Sequence, residues 1–203
     1  MSWSNAVLLL TIVASQAAPL PPPFPRPGTT SLLDNAAVAV WNVSWLKQQY
    51  PLHHHRYDLI GISYMEGDRI ITQGTAPGRL TRTRAWEFQT NRADVVHVEE
   101  GASDPPLRAV LIELKAAAPR PAGAEITDGL GQVIGTPAWQ NNRAAGWLVA
   151  GGTSAPRHRH AGDAVELIFD GTTSPKVEFV PAGTVHAGPS PADSARAYIF
   201  EIK

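Results

Sequence analysis

The chain has 203 residues, 43% of them hydrophobic and 17% charged, with a formal net charge of −1 and no cysteine. That length builds one large or two small domains around a real core and excludes a disordered chain. The charge balance, with no basic run, argues against nucleic acid as a partner; the absence of cysteine removes disulfides, thiolate ligands and a thiol nucleophile. Thirty-five residues are Gly or Pro (17 and 18), which suits a β-protein with many turns more than a helix bundle.

Residues 1–18 read as a signal peptide. An apolar run, Ala6 to Ala14, is followed by the small-x-small site Ser15-Gln16-Ala17. The run is too short to span a bilayer, so a periplasmic or secreted protein without a transmembrane segment is expected. Residues 19–31 are proline-rich and are expected to form an extended linker, because proline fixes φ and removes a donor.

Beyond residue 31 the apolar pattern is that of short strands. Ala37 to Trp45 carries apolar residues at every odd position, as in a strand with one buried side. Leu59 to Met65 is a second strand, closed by the turn Glu66-Gly67-Asp68. Arg69–Thr72 and Thr81–Thr83 flank Pro77-Gly78 as a hairpin. Val95–Val98 and Arg108–Lys115 complete a first set. Ala116 to Gly123 reads as a linker, and Gly146–Ala150, Ala164–Phe169, Lys176–Val180 and Ala195–Ile202 form a second set.

The two sets are copies of one unit. Pro51-x-His53-x-His55-x-x-Asp58 recurs as Pro156-x-His158-x-His160-x-x-Asp163, 105 residues on. Arg108–Lys115 recurs as Arg196–Lys203 at an offset of 88, and His97 as His186 at 89. The offset falls by 16 between these landmarks, so copy two should lack a β-hairpin and hold the shallower pocket. The expected layout is copy one at 32–115, a linker at 116–124 and a shortened copy two at 125–203.

On a strand, residues i and i+2 share a face, so each His-x-His offers two imidazoles together. A lone histidine would be an ordinary polar residue at a strand end. A repeated pair with a matching third His points instead to a divalent transition metal: Fe, Mn, Zn, Ni or Cu. The expected ligands are His53, His55 and His97 in copy one and His158, His160 and His186 in copy two. His54 faces the other way and is left out. Arg56 and Arg159 are expected to face solvent, and the tryptophans to pack in cores or interfaces.

His53-x-His55 with Gly67, and Pro181-x-Gly183-x-x-His186, resemble the two cupin motifs. Arg92-x-Asp94-x-x-His97 keeps the His without the Pro or Gly. The resemblance covers about residues 32–203 as a bicupin, and it is similar to small secreted bacterial cupins, some named for β-alanine degradation. It implies an all-β fold of two cupin-type (double-stranded β-helix, jelly-roll) barrels in tandem. Metal cupins often carry a Glu four or five positions after the second His. Here those positions hold Leu59 and Ile60, then Ala164 and Val165, and Glu166 falls one position later. A three-His site is therefore expected. Asp58 and Asp163 either hydrogen-bond an imidazole from outside the ligand shell or cap their own turns. Glu99 either faces the cavity or, as the favoured reading, sits solvated at a strand end.

A three-imidazole site keeps the full charge of its metal and should take a small anionic ligand. The resulting expectation is a metal-dependent enzyme, oxygenase or isomerase in type, with copy one as the active copy. The alternatives are a non-catalytic small-molecule or metal-binding cupin and a structural module that pairs as a homodimer.

Overall fold

The computed structural model describes residues 18–115, 126–128, 135–171 and 174–203, with only the backbone at 126–128. The expected signal peptide, apart from Ala18, and the expected linker at 116–124 lie outside the described residues.

Copy one consists of β1 (Thr29–Asp34), β2 (Val38–Ser44), β3 (His53–His54), β4 (Asp58–Met65), β5 (Gly67–Thr72), β6 (Arg79–Thr83), β7 (Phe88–Asn91), β8 (Val96–Gly101) and β9 (Arg108–Leu114). Copy two consists of β10 (Ile126–Asp128), β11 (Trp139–Gln140), β12 (Ala144–Ala150), β13 (Arg157–His160), β14 (Ala164–Phe169), β15 (Lys176–Val180), β16 (Val185–Ala187) and β17 (Arg196–Ile202). There is no helix among the described residues. In copy one the sheet β1-β2-β9-β4-β7 faces the sheet β3-β8-β5-β6; in copy two β11-β12-β17-β14-β15 faces β10-β13-β16. Each copy is an antiparallel jelly-roll barrel, as the alternating strands and dense turns predict.

The offset change has its cause here. Copy one inserts the β5–β6 hairpin between β4 and β7, whereas copy two passes from β14 to β15 without one. The hairpin extends the site-bearing sheet of copy one by two strands.

One expectation about β2 fails. Its odd residues face the interior of barrel one, where Val43 and Trp45 pack with Leu59 and Leu111. Its even residues are buried as well. Val38 and Val40 join Ile60, Ile62, Val110 and Ile112 on the outer face of the large sheet. That face packs on Val165, Leu167, Tyr198 and Phe200 of copy two. The polar Asn42 near the strand end survives burial because its carbonyl accepts the Tyr64 hydroxyl at 2.7 Å. The main core of the molecule is thus the seam between two barrels, and a strand buried on both faces need not alternate.

The proline-rich stretch is also not a linker. Strand β1 begins within it, at Thr29. The His54 amide donates to the Pro21 carbonyl at 2.9 Å, and Phe24 is buried with its ring 5.5 Å from that of Trp41. This arm runs beside β3 as β10 runs beside β13. Proline suits such an edge because little of the ladder is asked of its missing N–H.

The seam makes a direct prediction. Phe200 is fully buried and meets the rings of Phe88 and Tyr198, whereas Leu148 is 46% exposed. Phe200→Ala should cost about 3–5 kcal/mol in chemical denaturation, and Leu148→Ala no more than about 0.5 kcal/mol. Equal effects would contradict a core located between the barrels.

Candidate metal centres

Strand register assembles both clusters. Across the β3–β8 ladder His53 stands opposite His97, and across β13–β16 His158 stands opposite His186. Directly paired residues on one face have Cβ atoms about 5 Å apart, so pairing alone brings the first and third histidines together. His55 and His160 follow two positions on, facing the same way. All six are buried or half-buried, and within each cluster the nitrogens lie within 4.8 Å of one another.

The third histidine is set by a turn that both copies share. Asp94 and Gly183 both take a positive φ, 65° and 79°. Both amides donate to the carbonyl of the second histidine, His55 at 2.7 Å and His160 at 2.9 Å. The glycine of the motif is there for its left-handed backbone, and Asp is among the few other residues that tolerate it. The departure at Asp94 is therefore conservative in shape.

The aspartates act on the same turn. Asp58 accepts the Ala93 amide and Asp163 the Ala182 amide, each at 2.9 Å. Neither is bonded to an imidazole, which corrects the first of the two roles expected for them. They fix the loop that delivers the third histidine, and Asp58 also pairs with Arg143 of copy two at 2.9 Å.

The prolines of the repeated motif set the tautomer. The Nδ1–H of His53 donates to the Pro51 carbonyl at 2.9 Å, and that of His158 to the Pro156 carbonyl at 2.7 Å. A carbonyl only accepts, so Nδ1 carries the proton and Nε2 turns a lone pair inward. In copy two Glu201 does the same for His160, its Oε2 lying 3.2 Å from Nδ1 while its Oε1 accepts the Gly162 amide.

Copy two also supplies the carboxylate that spacing had excluded. Residues 161–163 leave the strand between β13 and β14, so facing is counted afresh from Ala164. Glu166 then points inward, with Oε1 at 3.5, 3.6 and 3.9 Å from Nε2 of His186, His160 and His158. His158 Nε2 and His160 Nε2 are 3.1 Å apart. Atoms about 2.1 Å from one ion are about 3.0 Å apart at a right angle and about 3.4 Å apart at a tetrahedral angle. Glu166 Oε1 and His186 Nε2 are buried without a hydrogen-bond partner. Four electron pairs converging in a dry site fit a divalent cation. Burial lowers the pKa of His160, but the neighbouring carboxylates Glu166 and Glu201 outweigh that and raise it.

Copy one has the opposite electrostatics. The position of Glu166 is taken by Gly61, where an added Cβ would lie 2.1 Å from the Val110 carbonyl oxygen. Its carboxylate comes instead from Glu99, on β8, and Glu99 is buried, not solvated at a strand end as favoured from sequence. Glu99 accepts from Arg26 at 2.9 Å, Arg69 at 3.1 Å and the Trp45 indole at 3.0 Å. Burial alone would raise its pKa; the two guanidiniums prevail and hold it down at about 2. Its Oε1 is 3.9 Å from His97 Nε2. His55 and His97 stay neutral: burial lowers His55 to about 3 and His97 to about 4. His55 Nδ1 has no partner, because Glu113, the counterpart of Glu201, accepts from Trp41 at 2.9 Å.

Copy two thus gathers two carboxylates, and copy one a carboxylate with two guanidiniums. At an effective dielectric near 20, a unit charge about 4 Å away is worth about 4 kcal/mol, so this difference ranks the two clusters as cation sites. Copy one has what copy two was expected to lack. A cavity of about 500 Å³ opens onto His55, His97 and Glu99 and is walled in large part by the β5–β6 hairpin. Arg56 and Arg159 are exposed, as expected from parity. His54 is half-buried and faces away, 3.3 Å from Asp94.

No protein-family model matches the chain, and no curated protein matches it in sequence. Solved structures do. AerE from Microcystis aeruginosa aligns with 91% of this chain and 98% of its own, at a TM-score of 0.57 and 13% identity. A cupin domain from Bordetella pertussis aligns over 46% of this chain and 99% of its own, at 0.41 and 23%. A mutant oxalate decarboxylase from Bacillus subtilis aligns over 83% and 69%, at 0.49 and 11%. The fold is the cupin fold, in its two-barrel form. Identities this low speak for the fold alone.

The acid response of the metal-free protein follows from these groups. Unfolded histidines take protons near their ordinary value of 6.5, whereas folded His55 and His97 do so only near 3 and 4. Stability should therefore be full above about pH 6.5 and fall steadily towards pH 4, as the unfolded chain binds protons that the folded chain refuses. Thermal melts of metal-free protein at pH 7.5 and 4.5 test this. His97→Gln should flatten the drop, and an equal slope in both proteins would refute it.

Proposed function

We propose that this is a metal-binding bicupin with a divided task. Copy two holds a divalent transition metal on His158, His160, His186 and Glu166. Copy one presents His55 and His97 to a chamber for a small anionic metabolite. Fe, Mn, Zn, Ni and Cu all suit the donor set. The observation that carries this reading is the pair of buried, unpartnered donor atoms in copy two, Glu166 Oε1 and His186 Nε2, aimed at one point. A bound ion would supply Lewis acidity, or O2 activation if it is redox-active. The chain's own residues do the rest. Pro156 and Glu201 orient imidazoles, and Asp163 holds the loop of His186.

In copy one the same scaffold faces open space, which supports a reacting or binding role there and an enzyme of the oxygenase or isomerase type. The apolar run near the N-terminus supports export to the periplasm or beyond.

Elemental analysis tests the proposal. Protein as purified should carry about one equivalent of transition metal or more per chain. Glu166→Gln and His160→Ala should empty copy two, and Glu201→Gln should weaken its affinity roughly 10–100-fold. Metal content unchanged in Glu166→Gln and His160→Ala would overturn the ligand assignment. Below about half an equivalent, with no refilling on reconstitution, the enzyme reading fails.

A further inference from the structure

The structure assigns a carboxylate-binding site to the copy-one chamber, with Arg69 as its anchor and a small monocarboxylate with an apolar body as its ligand. This deepens the reading of copy one as the ligand-facing copy and needs no metal.

The charge comes first. Around the copy-one histidines the charged groups are the buried Glu99 and the half-buried Arg26 and Arg69, two cations paired with one anion. Arg26 is not among the lining residues and stacks on the Tyr50 ring, 3.7 Å from its centroid. Arg69 lines the chamber. Its Nη1 donates to Glu99 and its Nη2 to Gln89 at 3.2 Å, while its Nε is buried without a partner. A guanidinium has five N–H donors in a fixed fork, and a single carboxylate satisfies only part of it. Gln89 is the weaker of its two partners, a neutral amide that an incoming carboxylate can replace. Arg79, exposed at the rim, adds a second cation to the wall, and Glu99 is the sole acid among the lining residues.

The shape comes second. Phe24, Trp45, Leu59, Ile71 and Leu111 give the chamber an apolar floor and side. Its volume of about 500 Å³ is that of a small-molecule pocket. Gln73, Thr81, Gln89, Thr90 and Asn91 line the rest of the wall, and an alkyl or aryl body fits the apolar part without burying polar groups of its own there. Arg69, Ile71 and Arg79 all come from the β5–β6 hairpin, which copy two does not have. The insertion therefore brings both the anchor and part of the apolar wall, and makes the site a property of one copy.

Calorimetric titration with 4-methylpentanoate and benzoate, against their neutral amides, tests the assignment on the full chain, both as purified and after metal removal. The acids should bind saturably, at least about tenfold more tightly than the amides, with or without metal. Arg69→Met should abolish this preference, and Arg79→Met should reduce it about threefold. The acid–amide comparison on unaltered protein stands even if Arg69→Met fails to fold. Equal binding of acid and amide, or no saturable binding of either acid below about 10 mM, overturns the site. Binding that survives only with metal present puts the carboxylate on the ion and overturns the Arg69 anchor. Because metal content is measured separately, an empty copy two leaves this test intact.

Discussion

In each half of the molecule, one antiparallel ladder sets the first histidine directly opposite the third. Everything at the two centres depends on that register: His53 across from His97, His158 across from His186. Side chains alternate with a period of two, so a slip by one residue would turn the third imidazole out of the barrel. The rest of the local structure protects the register. Asp58 and Asp163 hold the loop ahead of β8 and β16, and the positive-φ residues Asp94 and Gly183 let that loop close against the second histidine. The proline carbonyls then fix which ring nitrogen faces in.

From this shared frame the two copies differ by the β5–β6 hairpin and by a small number of charged side chains. Glu166 in copy two meets Gly61 in copy one, and Glu99 in copy one meets Gly188 in copy two. The carboxylate stands on β14 in copy two and on β8 in copy one, where two arginines surround it. One buried charge of either sign changes a cation's affinity by orders of magnitude in a poorly hydrated site. Divergence of the copies thus needed no change of fold. Glu166 in copy two faces only imidazoles, whereas Glu99 in copy one is paired with Arg26 and Arg69.

The fusion of the copies has a structural return. The outer faces of the two large sheets bury one another, so neither barrel exposes the apolar face that a single copy would have to cover. That seam is why β2 is apolar on both sides. It also explains how the aromatic residues Trp86, Phe88 and Trp139 find partners, with Phe88 and Trp139 stacked at 5.6 Å across the two copies.

The repeat, the longer strands other than β1, the missing hairpin and the six histidines were legible in the sequence, because alternation, spacing and self-similarity are one-dimensional signals; β7, β10 and β11 are too short to carry such a pattern. A further hint was available in the matched pair Glu113 and Glu201, a charged residue kept inside the same apolar strand of both copies. Glu166 was set aside because it falls one position beyond the family's spacing, and spacing says nothing of facing across residues 161–163, where the strand ends. Arg26 left no trace: its partner Glu99 is far along the chain, and only folding of the proline-rich arm over barrel one brings them together. Sequence periodicity fixes which residues share a face, since that follows from local backbone geometry. Which charges end up beside those faces is decided by long-range packing, and here that packing sets two carboxylates beside one cluster and two guanidiniums beside the other.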